Sequence, residues 1–264
     1  MANILILGAG SMGTAFSFPC ADNGHSVSIV GTHLENDFID KINSTRKHPA
    51  LDCEVQKNVK FFKFEKLKEE INKKIDLFVI AVVSKGVEWA SNEISKVLKS
   101  NVPILILTKG LAINNNNFEV LAHKMERLLK KNGMKETNIS AAGGPCLAKI
   151  LANKAHTAVV FANNDIKIAE KISKLVSTDY YHVSTSDDVV GVETCAAIKN
   201  IFSMAVGASQ GLCDAKQSKE KNYLNTAAAL MQESIYEMIT FVEKLKGKKE
   251  TVIGLAGIGD LYVS

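Results

Sequence analysis

Apolar residues along the chain follow two rhythms. In the first two thirds they form short continuous runs: Asn3-Ile4-Leu5-Ile6-Leu7, then residues 25–30, 75–83 and 103–107. Runs apolar on both faces predict strands covered by helices on either side, as in a parallel sheet. Helical spacing between and after them predicts helices over residues 87–98, 117–131 and 165–176. Residues 139–142 and 158–161 read as later, shorter strands flanking the loop Gly143-Gly144-Pro145-Cys146. The strand pattern stops after about Tyr181. From Asp187 onward the spacing is helical throughout, predicting helices over 189–211, 226–246 and 250–256, with a polar, lysine-rich surface loop over 213–223. The alternation predicts a doubly wound α/β domain over residues 1–186 and an all-helical domain over residues 187–264.

Composition narrows the class. The chain has 264 residues, 46% hydrophobic and 23% charged, which is ample for a buried core and excludes a disordered tail protein. No segment is expected to cross a bilayer and the start does not resemble a secretory signal, so a cytoplasmic protein without membrane insertion is expected. Cys20, Cys53, Cys146, Cys195 and Cys213 show no C-x-x-C spacing; reduced thiols are expected, with no metal site. The net charge of +4 is mild, and lysines over 63–74 alternate with acids, which reads as a solvated face and argues against a nucleic-acid partner.

The first strand empties into Gly8-Ala9-Gly10-Ser11-Met12-Gly13. A G-x-G-x-x-G turn at this place presents backbone amides at a helix N-terminus, where a pyrophosphate can be held. Gly8 permits the turn, Gly10 admits the cofactor, and Gly13 lets the helix pack on its strand. A Rossmann-type dinucleotide-binding domain is therefore expected.

Three charged residues stand in apolar surroundings. Lys199 is the only charged side chain between Glu193 and Asp214, on a helix apolar nearly all round and so expected to be central and buried. A buried ammonium has its pKa pulled toward neutrality and becomes a proton donor or acceptor; a lysine snorkelling at a domain edge is the alternative. Asp260 is the natural partner for it, with an N-cap role as the alternative. Lys109 follows the strand at 103–107, at the carboxyl end where open α/β sheets bind ligands, unless it is a plain exposed loop lysine.

The chain resembles the NAD(P)-dependent glycerol-3-phosphate dehydrogenases along its whole length. The residues that carry the likeness, in order, are Gly8 to Ala15, Thr108-Lys109-Gly110-Leu111, Gly144-Pro145-Cys146-Leu147-Ala148, Gly191 to Asn200, and Ala256-Gly257-Ile258-Gly259-Asp260-Leu261. The resemblance implies reversible reduction of dihydroxyacetone phosphate by NAD(P)H to sn-glycerol 3-phosphate, the backbone of phospholipids. It implies Lys199 as general acid and base, Asp260 and Lys109 orienting it and the substrate, and Gly144, Cys146 and Asn200 lining the substrate pocket. Ser11, Met12, Thr32, Lys109 and Ala148 would touch the cofactor. Cys146 stands where the family has Ser or Thr. The family continues past Tyr262-Val263-Ser264 to an Arg-Asn pair that holds substrate phosphate, so the chain is expected to be truncated, with Lys109, Asn200 and Ser264 left to hold that group. A homodimer is left open as the assembly.

After the second strand comes Val30-Gly31-Thr32-His33-Leu34-Glu35. No acid stands where NAD enzymes usually grip the ribose, with Glu35 a candidate that lies late, and no arginine awaits a 2′-phosphate, so NAD and NADP both remain open. A related two-domain hydroxy-acid dehydrogenase and a non-catalytic NAD-binding protein are the other readings.

Overall fold

A computed structural model describes residues 1–98, 101–215 and 224–264. Twelve strands occur among the described residues: β1 Asn3–Leu7, β2 Ser26–Val30, β3 Lys47–His48, β4 Cys53–Glu54, β5 Val59–Phe62, β6 Leu77–Ile80, β7 Pro103–Ile106, β8 Leu111–Asn114, β9 Asn117–Val120, β10 Asn138–Gly143, β11 Thr157–Ala162 and β12 Tyr181–Ser186. Eight of them form one sheet in the order β12-β11-β10-β7-β6-β1-β2-β5. Neighbours are parallel except β10 and β11, so the last two strands run against the rest. The helices around the sheet are α1 Ser11–Asp22, α2 Asn36–Thr45, α3 Leu67–Ile71, α4 Val87–Ile94, α5 Leu121–Lys131, α6 Ala148–Ala152 and α7 Ile166–Val176. The helical C-terminal domain then follows as α8 Val189–Ala215, α9 Leu224–Lys244, α10 Lys249–Val252 and α11 Asp260–Tyr262.

The continuous apolar runs become fully buried strands because the sheet is covered on both faces. One core gathers Ile4, Ile6, Phe16, Val27, Ile29 and Phe161; the other gathers Leu5, Leu7, Phe78, Ile80, Ile104 and Ile106. Alternate residues of β1 thus feed opposite cores, as the two-residue period of a strand demands. Each such buried Ile, Leu or Phe contributes about 1.5–3 kcal/mol. A third core, with Cys195, Ile198, Met238, Val242, Val252 and Leu261, joins α8 to α9, α10 and α11.

Several sequence expectations are corrected. The helix expected from residue 117 starts at Leu121, because β8 and β9 form a hairpin turning on Asn115 and Asn116, both left-handed at φ 49° and 62°. Asparagine tolerates that conformation, and two such residues in a row make the turn that fits strand twist. The strand pattern does not stop at Tyr181: β12 starts there, and its polar sequence reflects an edge position with only β11 beside it. The helix expected over 250–256 breaks after Val252. A π-helical turn over Leu255–Gly259 follows, and Gly257 permits it, since a Cβ there would lie 2.0 Å from the Val252 carbonyl oxygen.

The long helix α8 is not buried throughout. Its first half is enclosed, but Ile201 and Met204 are 63% and 71% exposed. By length and composition residues Val189–Leu212 are apolar enough to cross a membrane, contrary to the sequence expectation; half of the most apolar window packs inside the protein, and the enclosed part carries the ionisable side chains of Glu193 and Lys199. The loop expected over 213–223 begins within α8, which extends to Ala215; from residue 216 it lies outside the described residues.

Candidate active site

The glycine turn connects β1 to α1. Gly8 adopts φ +110°, and its amide donates to the Val30 carbonyl at 2.8 Å, tying the turn to the end of β2. A Cβ on Gly8 would come 2.6 Å from the Ala81 carbonyl oxygen, and one on Gly13 would come 2.2 Å from the Gly8 carbonyl oxygen. Those two glycines are required by packing. Gly10 differs: a Cβ there would meet nothing within 4 Å. Its openness lies at the N-cap of α1, where the amides of the first turn have no intrahelical acceptor. Ser11 and Met12 sit in that first turn. Space beside Gly10, unpaired amides and the positive end of a twelve-residue helix together fit a pyrophosphate, so the residues present suit a dinucleotide cofactor.

Lys109 lies just past β7, with β6 between it and β1. At the usual spacing of paired strands this sets its backbone roughly 10 Å from the strand that feeds the glycine turn. Thr108 fixes the segment by donating its hydroxyl to the Val82 carbonyl at 2.6 Å. Lys109 Nζ reaches Asp260 Oδ2 at 2.8 Å.

The other carboxylate oxygen of Asp260 takes Lys199, in an ion pair with Asp260 1% and Lys199 6% exposed. Lys199 Nζ also donates to the Asp260 carbonyl at 3.4 Å. Burial pulls the Lys199 ammonium below its ordinary pKa; the hydrogen bond to Asp260 resists this, and the charge of Lys109 adds to the lowering. Asp260 sits at the start of α11, where its side chain caps no backbone amide. The ion-pair expectation for Asp260 is therefore met and the N-cap alternative is not. The π-helical turn delivers it: Gly259 N donates to the Gly254 carbonyl at 3.2 Å, and Asp260 follows directly.

Cys146 lies in the loop after β10, near enough to Lys109 and Asp260 to feel both charges; burial pushes its thiol up to about 12 despite Lys109. It is a neutral thiol, which suits a pocket wall and not a nucleophile. Gly144 adopts φ +108°, with a virtual Cβ 3.1 Å from Val159 Cα, so it is needed to turn the chain beneath Cys146. Ser264 donates its hydroxyl to the Asp260 carbonyl at 2.7 Å, bracing the carboxylate's backbone. Asn200, beside Lys199, is exposed. Ala148 opens α6, which packs on α1.

One residue escaped sequence reading, and one was named there only as lying late. Glu193 is 3% exposed and accepts the Ala122 amide at 2.9 Å, holding the start of α5. Burial pushes its carboxyl up to about 8. Glu35 accepts the Thr32 amide at 2.6 Å and the Ala9 amide at 3.3 Å. Nothing in the local sequence of Glu193 separates it from a surface acid on an apolar helix. The signal for Glu35 was its place a few residues after a strand that follows G-x-G-x-x-G.

Comparison with known proteins agrees with this geometry. The sequence model for the N-terminus of NAD-dependent glycerol-3-phosphate dehydrogenase matches residues 3–169, and the model for its C-terminus matches residues 188–264. The chain is 31% identical over 261 residues to an NADP(+)-dependent glycerol-3-phosphate dehydrogenase of Archaeoglobus fulgidus, covering 99% of this chain and 75% of the relative. It is 31% identical to a glycerol-3-phosphate dehydrogenase [NAD(P)+] of an Exiguobacterium species, covering 100% and 73%. A crystal structure of glycerol-3-phosphate dehydrogenase from Coxiella burnetii superposes with TM-score 0.81 at 28% identity over 99% of this chain and 75% of that one. A ketopantoate reductase of Ralstonia eutropha shares the fold, with TM-score 0.60 at 16% identity over 93% of this chain and 76% of that one.

Proposed function

Because the chain belongs to the NAD-dependent glycerol-3-phosphate dehydrogenase family, we propose that it interconverts dihydroxyacetone phosphate and sn-glycerol 3-phosphate with Lys199 as the proton donor and acceptor. The observation that carries this is the pairing of Lys199 and Lys109 on one buried carboxylate, Asp260, at the strand ends beside the glycine turn.

A nicotinamide dinucleotide, its pyrophosphate held by the Gly8–Gly13 turn, would supply the hydride chemistry at the central carbon of the substrate. In the reducing direction Lys199 Nζ donates its proton to the ketone oxygen, where negative charge would otherwise develop. In the oxidising direction the neutral amine takes the hydroxyl proton back. Asp260 holds the lysine head in place, and burial lowers the pKa of Lys199, easing release of its proton during turnover. Lys109, 35% exposed at the mouth of the crevice, offers positive charge to a phosphorylated substrate. Cys146, Gly144 and Asn200 line the pocket, and Ser264 supports Asp260. Ser11, Met12, Thr32 and Ala148 face the cofactor side. The reducing direction would supply glycerol 3-phosphate for phospholipids. The described cysteines Cys20, Cys53, Cys146 and Cys195 are free thiols, in keeping with a reducing, cytoplasmic setting.

The test is loss of reduced-cofactor absorbance on adding dihydroxyacetone phosphate, with 2-keto acids in parallel. Turnover of the phosphorylated ketone alone supports the proposal. Turnover of carboxylate substrates in preference to it, or of neither, overturns it.

A further inference from the structure

One carboxylate joins α8 to the segment that carries Asp260. Asp188, 5% exposed, stands just before α8. Its Oδ1 accepts the Gly191 amide at 2.8 Å, which caps the first turn of α8. Its Oδ2 accepts the Lys248 amide at 2.8 Å and the Thr251 hydroxyl at 2.6 Å, so the same side chain also holds the start of α10. The Asp188 amide donates to Ser186 Oγ at 3.0 Å, fixing the joint to the end of β12, and Lys248 Nζ closes it from outside on Asp187 at 2.6 Å. Nothing larger than glycine fits where the two elements meet: a Cβ on Gly191 would lie 2.0 Å from Asp188 Oδ2 and 3.0 Å from Thr251 Cβ, and one on Gly247 would lie 2.8 Å from the Gly191 nitrogen.

From this joint the chain runs along α8 with little slack. The Thr251 amide donates to the Lys248 carbonyl at 3.1 Å, the Gly254 amide to the Thr251 carbonyl at 3.3 Å, and the Gly259 amide to the Gly254 carbonyl at 3.2 Å. The helix α10, the π-helical turn and α11 each pack on α8, and Val252 and Leu261 enter the same core as Cys195 and Ile198. Lys199 stands about 12 Å along the helix from Gly191. Asp260 reaches it from the far end of the packed segment, so the height at which the segment starts fixes the height at which the carboxylate arrives.

We propose that Asp188 is a positioning residue: by tying the start of α10 to the start of α8, it sets the register in which Asp260 meets Lys199. The role rests on the reaction proposed above and adds the support that its proton donor needs. A catalytic group misplaced by about 1 Å can lose about a hundredfold in rate, and Asp260 has two lysines to hold at once. A side chain locked at the far end of a packed segment supplies that precision without touching the reacting atoms. A carboxylate suits the joint because all three groups that meet it are donors, whereas an asparagine would turn an N–H₂ toward one of them.

Reduction of dihydroxyacetone phosphate by the purified protein, followed from about pH 6 to about pH 10 well below Tm and beside a titration with NADH, tests it. Asp188→Asn is expected to lower kcat about tenfold or more with NADH affinity unchanged. As Asp260 slips from Lys199 the ammonium loses the partner that holds its proton, so the fall of kcat/KM with rising pH should move to lower pH by about half a unit or more. Thr251→Val removes one of the three donors at nearly constant shape and is expected to move both quantities the same way, while Thr251→Ser, which keeps the hydroxyl, restores them. Circular dichroism checks the folds; should Asp188→Asn unfold, the Thr251 pair decides. An unmoved pH profile in the folded variant, or a Thr251→Ser as impaired as Thr251→Val, means that the joint serves stability alone; either overturns the role and leaves the reaction standing. A wild type without turnover overturns the reaction, and the role with it.

Discussion

Lys199 ends on Asp260 Oδ1 in a pocket where both side chains are almost fully enclosed, so each charge depends on the other for its place in the protein. Burial alone would favour the neutral form of Lys199. The carboxylate is shared with Lys109 at 2.8 Å, which leaves the trio with one net positive charge facing the crevice and suits an anionic substrate.

Replacing the lysine head should abolish proton transfer while leaving cofactor binding intact. Lys199→Met is expected to lower kcat by roughly two to four orders of magnitude, the scale of general acid catalysis, with NADH affinity unchanged by titration. Retention of more than about a tenth of wild-type kcat would remove Lys199 from the chemistry.

The same lysine sets a pH dependence. Ketone reduction needs the ammonium, so its rate should fall as pH rises through the Lys199 pKa, which burial brings below the ordinary lysine range. Alcohol oxidation needs the neutral amine and should rise over the same interval. Profiles of kcat/KM in the two directions check this; parallel profiles would contradict it.

Asp260→Asn removes the countercharge from two lysines at once. Leaving a buried ammonium unpaired typically costs about 3–5 kcal/mol, so a marked fall in Tm and in activity is expected. Combined with Lys199→Met the stability losses should not add, because the single change has already broken the pair. Additive losses in a double-mutant cycle would mean that the two act separately.

Gly10 and Gly8 should fail in different ways. Gly10→Val places its side chain in open space, so the fold should persist while NADH affinity falls sharply. Gly8→Val meets the Ala81 carbonyl and a left-handed backbone, so it should unfold or fail to accumulate. Thermal melts beside cofactor titrations distinguish the two, and wild-type NADH affinity in Gly10→Val would take the turn out of the site.

Glu193 offers a stability test away from the chemistry. Its folded pKa of about 8 lies above the ordinary carboxylate value of 4.5. A raised folded pKa means that the native state holds the proton more tightly, so the stabilisation is complete below pH 4.5 and is lost as pH rises to about 8. Glu193→Gln keeps an acceptor for the Ala122 amide but does not titrate. The Tm of the wild type should therefore fall relative to the variant across that window and run parallel above it. A constant difference from pH 5 to 9 would rule out the shift.

Much of the fold was legible because strand and helix periods are local. Runs such as Ile4 to Leu7 and Ile104 to Leu107 state their double-sided burial in their own composition, and the glycine turn announces itself by residue type. The polar edge strand β12 and the Asn115-Asn116 hairpin were not legible, since an edge strand has no full apolar face and a turn of two asparagines resembles any polar loop.

By itself the sequence determined the doubly wound sheet, the helical domain after it, the glycine turn, and the isolation of Lys199 and Asp260 among apolar neighbours. The sequence also offered Asp260 as the partner of Lys199, but only tertiary structure put Lys109 on the same carboxylate. Lys109, Lys199 and Asp260 come from the end of β7, from α8 and from the start of α11, and they converge because α11 and the π-helical turn before it pack on α8, which packs on β10 beside β7. Glu35 makes the same point at shorter range: its distance along the chain from β2 said nothing of its distance in space, because a turn over Gly31 folds it back to Ala9. Periodicity reports what each residue does for its own element, whereas a site is made of contacts between elements, and those are set by packing in three dimensions.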